Sequence, residues 1–146
     1  MVWYYKNEEV SELPECIGFV YQITHITSGR KYIGKKLKHF TKTSVKTITL
    51  KSGIKKKKKV KTQVESDWRT YYGSCAELQK DVLELGTENF HREILSYEHT
   101  KGNISYAEAR LQFQHKVLES DDYYNGIISC RVNGRHLKTE LLSKIN

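Results

Sequence analysis

Apolar positions along the chain fall into two spacings. Between Ile17 and Thr24, Phe19, Tyr21 and Ile23 alternate with Val20 and Gln22, the two-residue period of a strand. Thr27-Ser28-Gly29 is a turn signal, and residues 31–34 read as a second strand, so 17–35 is expected to be a β-hairpin. Leu78, Val82 and Leu85 recur at helical spacing behind Ser74, a good N-cap, with Gly86 as a good terminator. Phe90, Ile94 and Leu95 mark a third strand over 90–97. A loop is expected at 101–103, then a second helix over 105–120 with Ala109, Phe113 and Val117 on one face. Tyr123-Tyr124-Asn125-Gly126 breaks it, and 127–132 has the composition to return to the sheet. Residues 1–15 read as an irregular arm, and Leu137, Leu141 and Leu142 as a short C-terminal docking helix.

Composition narrows the class. A chain of 146 residues suits one compact domain with one core. It has no apolar run long enough to cross a bilayer, and MVWYYKNEEV lacks the form of a signal peptide, so a cytoplasmic protein without a membrane partner is expected. Cys16, Cys75 and Cys130 are odd in number and form no CxxC pair, which speaks against a disulfide framework or a zinc site.

Charge changes the picture more than composition does. The net charge is +8, yet no acidic residue lies between Glu15 and Glu65. That stretch holds 14 of the 25 lysines and arginines, and the remaining 11 are outnumbered by 17 acidic side chains. A mildly acidic body thus carries a strongly cationic segment. Val45 to Leu50 has strand character, Ser52-Gly53 turns, and residues 54–64 lead back, so a projecting basic ribbon or a solvated lysine loop is expected. Such segregation costs self-repulsion that a polyanion relieves, because each lysine that replaces a condensed counterion gains release entropy. DNA is the expected partner. Lys35, Lys36, Lys55, Lys56, Lys57, Lys58, Lys59 and Lys61 are the expected contacts.

Two short motifs carry candidate chemistry. Gly18-Phe19-Val20-Tyr21 is followed by Tyr32-Ile33-Gly34, which puts the two tyrosines 11 positions apart. Trp68-Arg69-Thr70-Tyr71-Tyr72-Gly73-Ser74, then Leu85-Gly86-Thr87-Glu88-Asn89-Phe90, then Glu108 and Tyr124-Asn125 follow in order. In this succession, from about residue 17 to about 130, the chain resembles the GIY-YIG endonuclease superfamily, in particular its phage-encoded Seg-type homing endonucleases. Tyr32-Ile33-Gly34 matches the second half of the motif literally, whereas Phe19-Val20-Tyr21 stands where Gly-Ile-Tyr is usual.

The resemblance implies an α+β fold: a small, mostly antiparallel, three-stranded sheet flanked by helices. It divides the chain into an arm (1–16), a nuclease domain (17–132) with a lysine-rich insertion (36–66), and an extension (133–146). It implies metal-dependent hydrolysis of DNA phosphodiester bonds, with Tyr21 as general base or water-positioning group and Tyr32 assisting it or binding phosphate. A tyrosine set among cations is expected to titrate below its ordinary value. Glu108 matches the family's metal-binding carboxylate, and one hard oxygen ligand suits Mg2+ or another divalent cation such as Mn2+. Ser105-x-x-Glu108 is also a capping box, which would instead tie Glu108 to a helix start. The phosphate-holding cation is Arg69 or Lys80. His39 is a possible proton shuttle or a surface histidine, and Asn125 a group that orients a carboxylate or backbone, or a turn residue. One active site cuts one strand at a time, so a monomer or a transient dimer on DNA is expected. The alternative is a non-catalytic basic module that binds nucleic acid.

Overall fold

The structure is a computed structural model that describes residues 2–135 and 137–138. Seven strands and two α-helices lie wholly within the described residues, in the order β1 (Trp3–Tyr5), β2 (Glu8–Val10), β3 (Gly18–His25), β4 (Lys31–Leu37), β5 (His39–Thr49), β6 (Lys55–Glu65), α1 (Ala76–Leu85), β7 (Phe90–Glu98) and α2 (Lys101–Gln114). The body is a five-stranded sheet ordered β2-β1-β7-β3-β4, and β5 with β6 forms a separate two-stranded ribbon.

The hairpin expected over 17–35 is β3 and β4, paired in register from Gly18 with Leu37 to Thr24 with Lys31. The sheet is larger than the expected three strands, and it is mixed. The arm is not irregular: Lys6 and Asn7, at φ 49° and 69°, turn β1 back onto β2. Two successive positive φ values are what a tight hairpin turn requires, and asparagine tolerates them better than most residues. β1 then pairs parallel with β7. Trp3 anchors it, almost fully buried with its indole Nε1–H donating to the Trp68 carbonyl at 2.7 Å.

Each face of the sheet is covered. On one, Trp3, Phe19, Tyr21, Ile23 and Ile94 pack against Trp68 and against Leu78 and Val82 of α1. On the other, Val20 and Ile33 pack against Ile104 and Ala107 of α2. Helix α1 starts at Ala76 and stops at Gly86, whose φ of 89° closes it; its cap position is Cys75, not Ser74. Helix α2 starts at Lys101, where a loop is expected from sequence, because Thr100 caps it by accepting from the Asn103 N–H. It ends at Gln114, six residues before the expected 120, so Glu108 lies in its interior and the capping-box alternative is removed. Residues 127–132 form no strand. Of the expected terminal helix, Leu141 and Leu142 lie outside the described residues. Cys16, Cys75 and Cys130 are free thiols. Among the described residues no helix is long and apolar enough to cross a membrane.

Candidate active site

The register of β3 on β4 decides where the tyrosines go. Tyr21 stands opposite Gly34, and Ile23 opposite Tyr32. Facing residues share a sheet face and alternate residues do too, so both phenol rings project to the same side. Their centroids are 6.2 Å apart. On the other side of β3, the pairing with β7 slips between Val20 and Tyr21. Such irregularities re-aim side chains, and this one adjoins Tyr21.

Gly34 has a steric reason. A Cβ placed there would come within 2.5 Å of the Tyr21 hydroxyl and 2.9 Å of Cε1 of Tyr32. With no side chain in the way, the hydroxyl end of the Tyr21 ring packs directly over Gly34 of β4. Gly73, at φ 86°, fits the same crowding from the loop before α1, where a Cβ would sit 3.3 Å from Tyr32.

Glu108 arrives at β4 from the other face. As the outermost strand, β4 has one row of backbone groups with no strand partner. Side chains supply partners instead. The Lys35 N–H donates to the Glu108 carboxylate. One helical turn on, Gln112 Nε2 donates to the Ile33 carbonyl at 2.9 Å. Asn125 completes the edge like a short piece of strand: its Oδ1 accepts from the Ile33 N–H at 3.1 Å and its Nδ2 donates to the Ile33 carbonyl at 2.8 Å. Asn125 thus orients backbone, one of the roles expected of it. The Glu108 charge is close enough to raise both phenols. The Tyr21 hydroxyl and the Tyr32 ring therefore lie over Gly34, and the next residue of β4, Lys35, holds the Glu108 carboxylate through its amide.

A third tyrosine joins them. Tyr71 packs edge-on to Tyr21 at 5.9 Å and shares a side-chain hydrogen bond with it. Tyr32 and Ser74 hydroxyls lie 3.0 Å apart. The segment carrying Tyr71 and Ser74 is held by Arg92 of β7, which is almost fully buried between the Trp3 and Tyr72 rings. Its Nη1 donates to the Arg69 and Tyr71 carbonyls at 3.0 Å each. Gln79 of α1 pins the Gly73 carbonyl at 2.8 Å. Tyr71, Ser74, Arg92 and Gln112 were not legible as site residues. The run from Trp68 to Ser74 stands out in the sequence, but only the fold shows which of its side chains turn inward.

Electrostatics run against one expectation. The Tyr21 phenol is raised well above its ordinary value, first by burial and then by the neighbouring tyrosines and Glu108. Tyr32 is raised for the same leading reason, partly offset by its bond to Ser74. In the protein alone both are neutral phenols, because cations do not outweigh burial. Glu108 is raised too: burial outweighs the Lys35 ammonium and amide.

The expected cations divide. Lys35 stands at the site, its Nζ donating to Ser105 Oγ at 2.8 Å while its backbone holds Glu108. Lys36, expected on DNA, is instead buried, 2.6 Å from Asp67 and with its Nζ 3.8 Å from the centre of the Tyr71 ring. Arg69 turns away: its guanidinium grips Glu12 at 2.9 Å and the Ser11 carbonyl at 2.6 Å, with Glu65 at 3.4 Å. Lys80 is exposed on α1, whose inward residues are Leu78 and Val82. The structure therefore brings neither Arg69 nor Lys80 to the phenols. His39 is exposed at the foot of the ribbon, opposite Glu65. Lys55 to Lys59 and Lys61 are exposed along β6.

A divalent cation would find one protein carboxylate here. Among the described residues no group of three or more His, Cys, Asp or Glu could hold a metal by itself. A single half-buried carboxylate fits a hard cation such as Mg2+ only if phosphate oxygens and water complete its shell, which is how Mg2+ is commonly held at phosphate chemistry.

A family model described as "Putative endonuclease segE, GIY-YIG domain" matches residues 3–128 of the chain. No curated protein and no solved structure matches it.

Proposed function

Because the chain belongs to the segE-type GIY-YIG endonuclease domain family, we propose that it is a DNA endonuclease that hydrolyses phosphodiester bonds at the edge of β4. The observation that supports this reading is the packing of Tyr21 and Tyr32 over Gly34, beside the Lys35 amide that holds Glu108.

Hydrolysis needs an oriented water, neutralised charge on the phosphate, and a proton path for the leaving oxygen. A divalent cation such as Mg2+ or Mn2+ on Glu108 would supply positive charge against the phosphate and favour the Tyr21 phenolate. Tyr21, once ionised beside such a cation, orients the attacking water and takes its proton as the water oxygen bonds to phosphorus and the bond to the leaving oxygen breaks, that oxygen taking a proton from solvent water; Tyr71, hydrogen-bonded to Tyr21, fixes the direction of its phenol oxygen. Tyr32, steadied by Ser74, donates to a phosphate oxygen. Lys35 is the cation placed to hold the phosphate, since Arg69 and Lys36 are occupied by carboxylates. The apolar packing of Phe19, Trp3 and Trp68 behind Tyr21 keeps bulk water from the buried side of the ring.

A second reading, a binding module without catalysis, draws on the raised Tyr21 phenol and on the pairing of Arg69 and Lys36. Incubating the full chain with supercoiled plasmid decides between them. Nicked or linear DNA with Mg2+, and intact DNA with chelator, supports the endonuclease. Binding without cutting over a broad range of DNA sequences and divalent cations supports the module.

A further inference from the structure

The ribbon of β5 and β6 takes no part in the site above. It leaves the body at the end of β4, because only Lys38 separates β4 from β5. Its foot is fixed: the Lys38 N–H donates to the Ile17 carbonyl at 2.9 Å, the Ser66 N–H to Lys38 at 2.9 Å, and Ser66 Oγ to Leu37 at 2.6 Å. Beyond the foot nearly every residue is exposed. Eleven residue pairs join the strands, from His39 with Glu65 to Thr49 with Lys55. At about 3.4 Å per residue the ribbon is roughly 35 Å long, and its strands are about 4.8 Å apart.

Its two faces differ. Residues opposed across an antiparallel pair share a face. By that register one face carries Lys55, Lys57, Lys59 and Lys61 beside Thr41, Thr43, Thr47 and Thr49, with Val45 opposite Lys59. The other carries Lys42, Lys46, Lys56 and Lys58 with Phe40, Ile48 and Val60. The second face is engaged at its foot, where the Phe40 ring lies 4.8 Å from the Lys36 ammonium. The lysine–threonine face is tied at its foot as well, where Glu65 accepts from Trp68 Nε1 at 2.9 Å and pairs with Arg69 at 3.4 Å, and it is exposed from Thr41 and Gln63 to the tip.

We infer that the ribbon enters the major groove of duplex DNA with its lysine–threonine face on the groove floor, beside the strand being cut. This rests on the endonuclease reading for the identity of the polyanion. The major groove of B-form DNA, about 12 Å wide, admits a two-stranded β-ribbon without deformation, whereas the minor groove, about 6 Å wide, takes one only when the duplex is bent or the groove widened. The deep, narrow major groove of duplex RNA does not admit one. Threonine hydroxyls donate to and accept from base edges, threonine methyls meet thymine methyls, and lysine ammoniums donate to guanine O6 and N7. The lysines of the other face extend outward to the phosphates at the rim. A length near 35 Å spans about one turn of the duplex.

The test is binding of the full chain to duplex DNA in chelator, in competition with methyl green, which occupies the major groove, or netropsin, which occupies the minor groove. Two quadruple variants of equal charge change are compared: Lys55, Lys57, Lys59 and Lys61→Gln, and Lys42, Lys46, Lys56 and Lys58→Gln. Methyl green should weaken the native chain by about 10-fold or more, and netropsin by less than about twofold. The first variant should lose affinity and also its sensitivity to methyl green. The second should keep that sensitivity while the slope of log affinity against log salt falls by about 3 to 4. Equal methyl green sensitivity in the two variants, competition by netropsin, or displacement by duplex RNA as readily as by DNA overturns the inference. The plasmid assay separates the two failures: cutting without groove competition sinks the ribbon inference alone, and groove competition without cutting sinks the endonuclease reading alone.

Discussion

Gly34 shows how much one absent side chain decides. The Tyr21 hydroxyl packs over β4 only where no Cβ stands, since one would lie 2.5 Å from it. Gly34→Ala should therefore displace the phenol, cut cleavage by about 100-fold, and cost about 1–3 kcal/mol in stability through overpacking. Single-turnover cleavage alongside urea unfolding checks both; native activity in a folded Gly34→Ala chain would show that Tyr21 need not hold this position. Glu108 makes a separate prediction about pH. Burial lifts its carboxyl above the ordinary glutamate value. The folded chain then holds this proton more tightly than the unfolded chain. Its contribution to stability is present below the unfolded value near ~4.3 and is lost as pH rises through the folded one. Glu108→Gln removes that loss, so its urea midpoint at neutral pH should exceed that of the native chain while cleavage disappears. A lower midpoint would mean that the carboxylate holds Lys35 more strongly than burial penalises it.

At the scale of elements, β4 is an edge strand finished by side chains. Asn125→Ala would leave the buried Ile33 N–H without its partner and the Ile33 carbonyl with Gln112 alone. A loss of about 2 kcal/mol in unfolding free energy is expected, measured by urea titration; a loss below about 0.5 kcal/mol would mean that water or α2 replaces it. The sequence showed these elements unevenly, and the reasons are physical. β3, α1 and β7 stand close to where their apolar spacing puts them, whereas β4 runs to Leu37, three residues past the expected end at Gly34. β1 and β2, of three residues each, are too short to show a period, and their cue was the Lys6-Asn7 turn. α2 began four residues earlier than expected because Thr100 caps it ahead of the capping box at Ser105. The two motif tyrosines and Glu108 were legible because their chemistry is carried by residue type and order. Tyr71, Ser74 and Arg92 were not, since their roles depend on which way an irregular segment turns.

For the whole molecule, the body and the ribbon should be separable. The ribbon contributes nothing to either core cluster. Replacing residues 41–63 by an Asn-Gly turn between Phe40 and Val64, which face each other, should change unfolding free energy by less than about 1 kcal/mol, because the lower closure entropy of a short turn offsets the little packing that is removed. Circular dichroism and thermal unfolding would show the same body, and DNA affinity should fall steeply at physiological salt. Collapse of the fold on that deletion would make the ribbon structural.

Tyr21 is the group proposed to act on the scissile phosphate at the edge of β4. Single-turnover cleavage of duplex DNA by the full chain, native against Tyr21→Phe, tests that role most directly, because phenylalanine keeps the ring packing against Trp3 and Tyr71 and removes only the hydroxyl. The predicted result is a fall in rate of about 100-fold or more, with DNA affinity within about threefold of native. Cleavage by Tyr21→Phe at the native rate, with affinity unchanged, would contradict it.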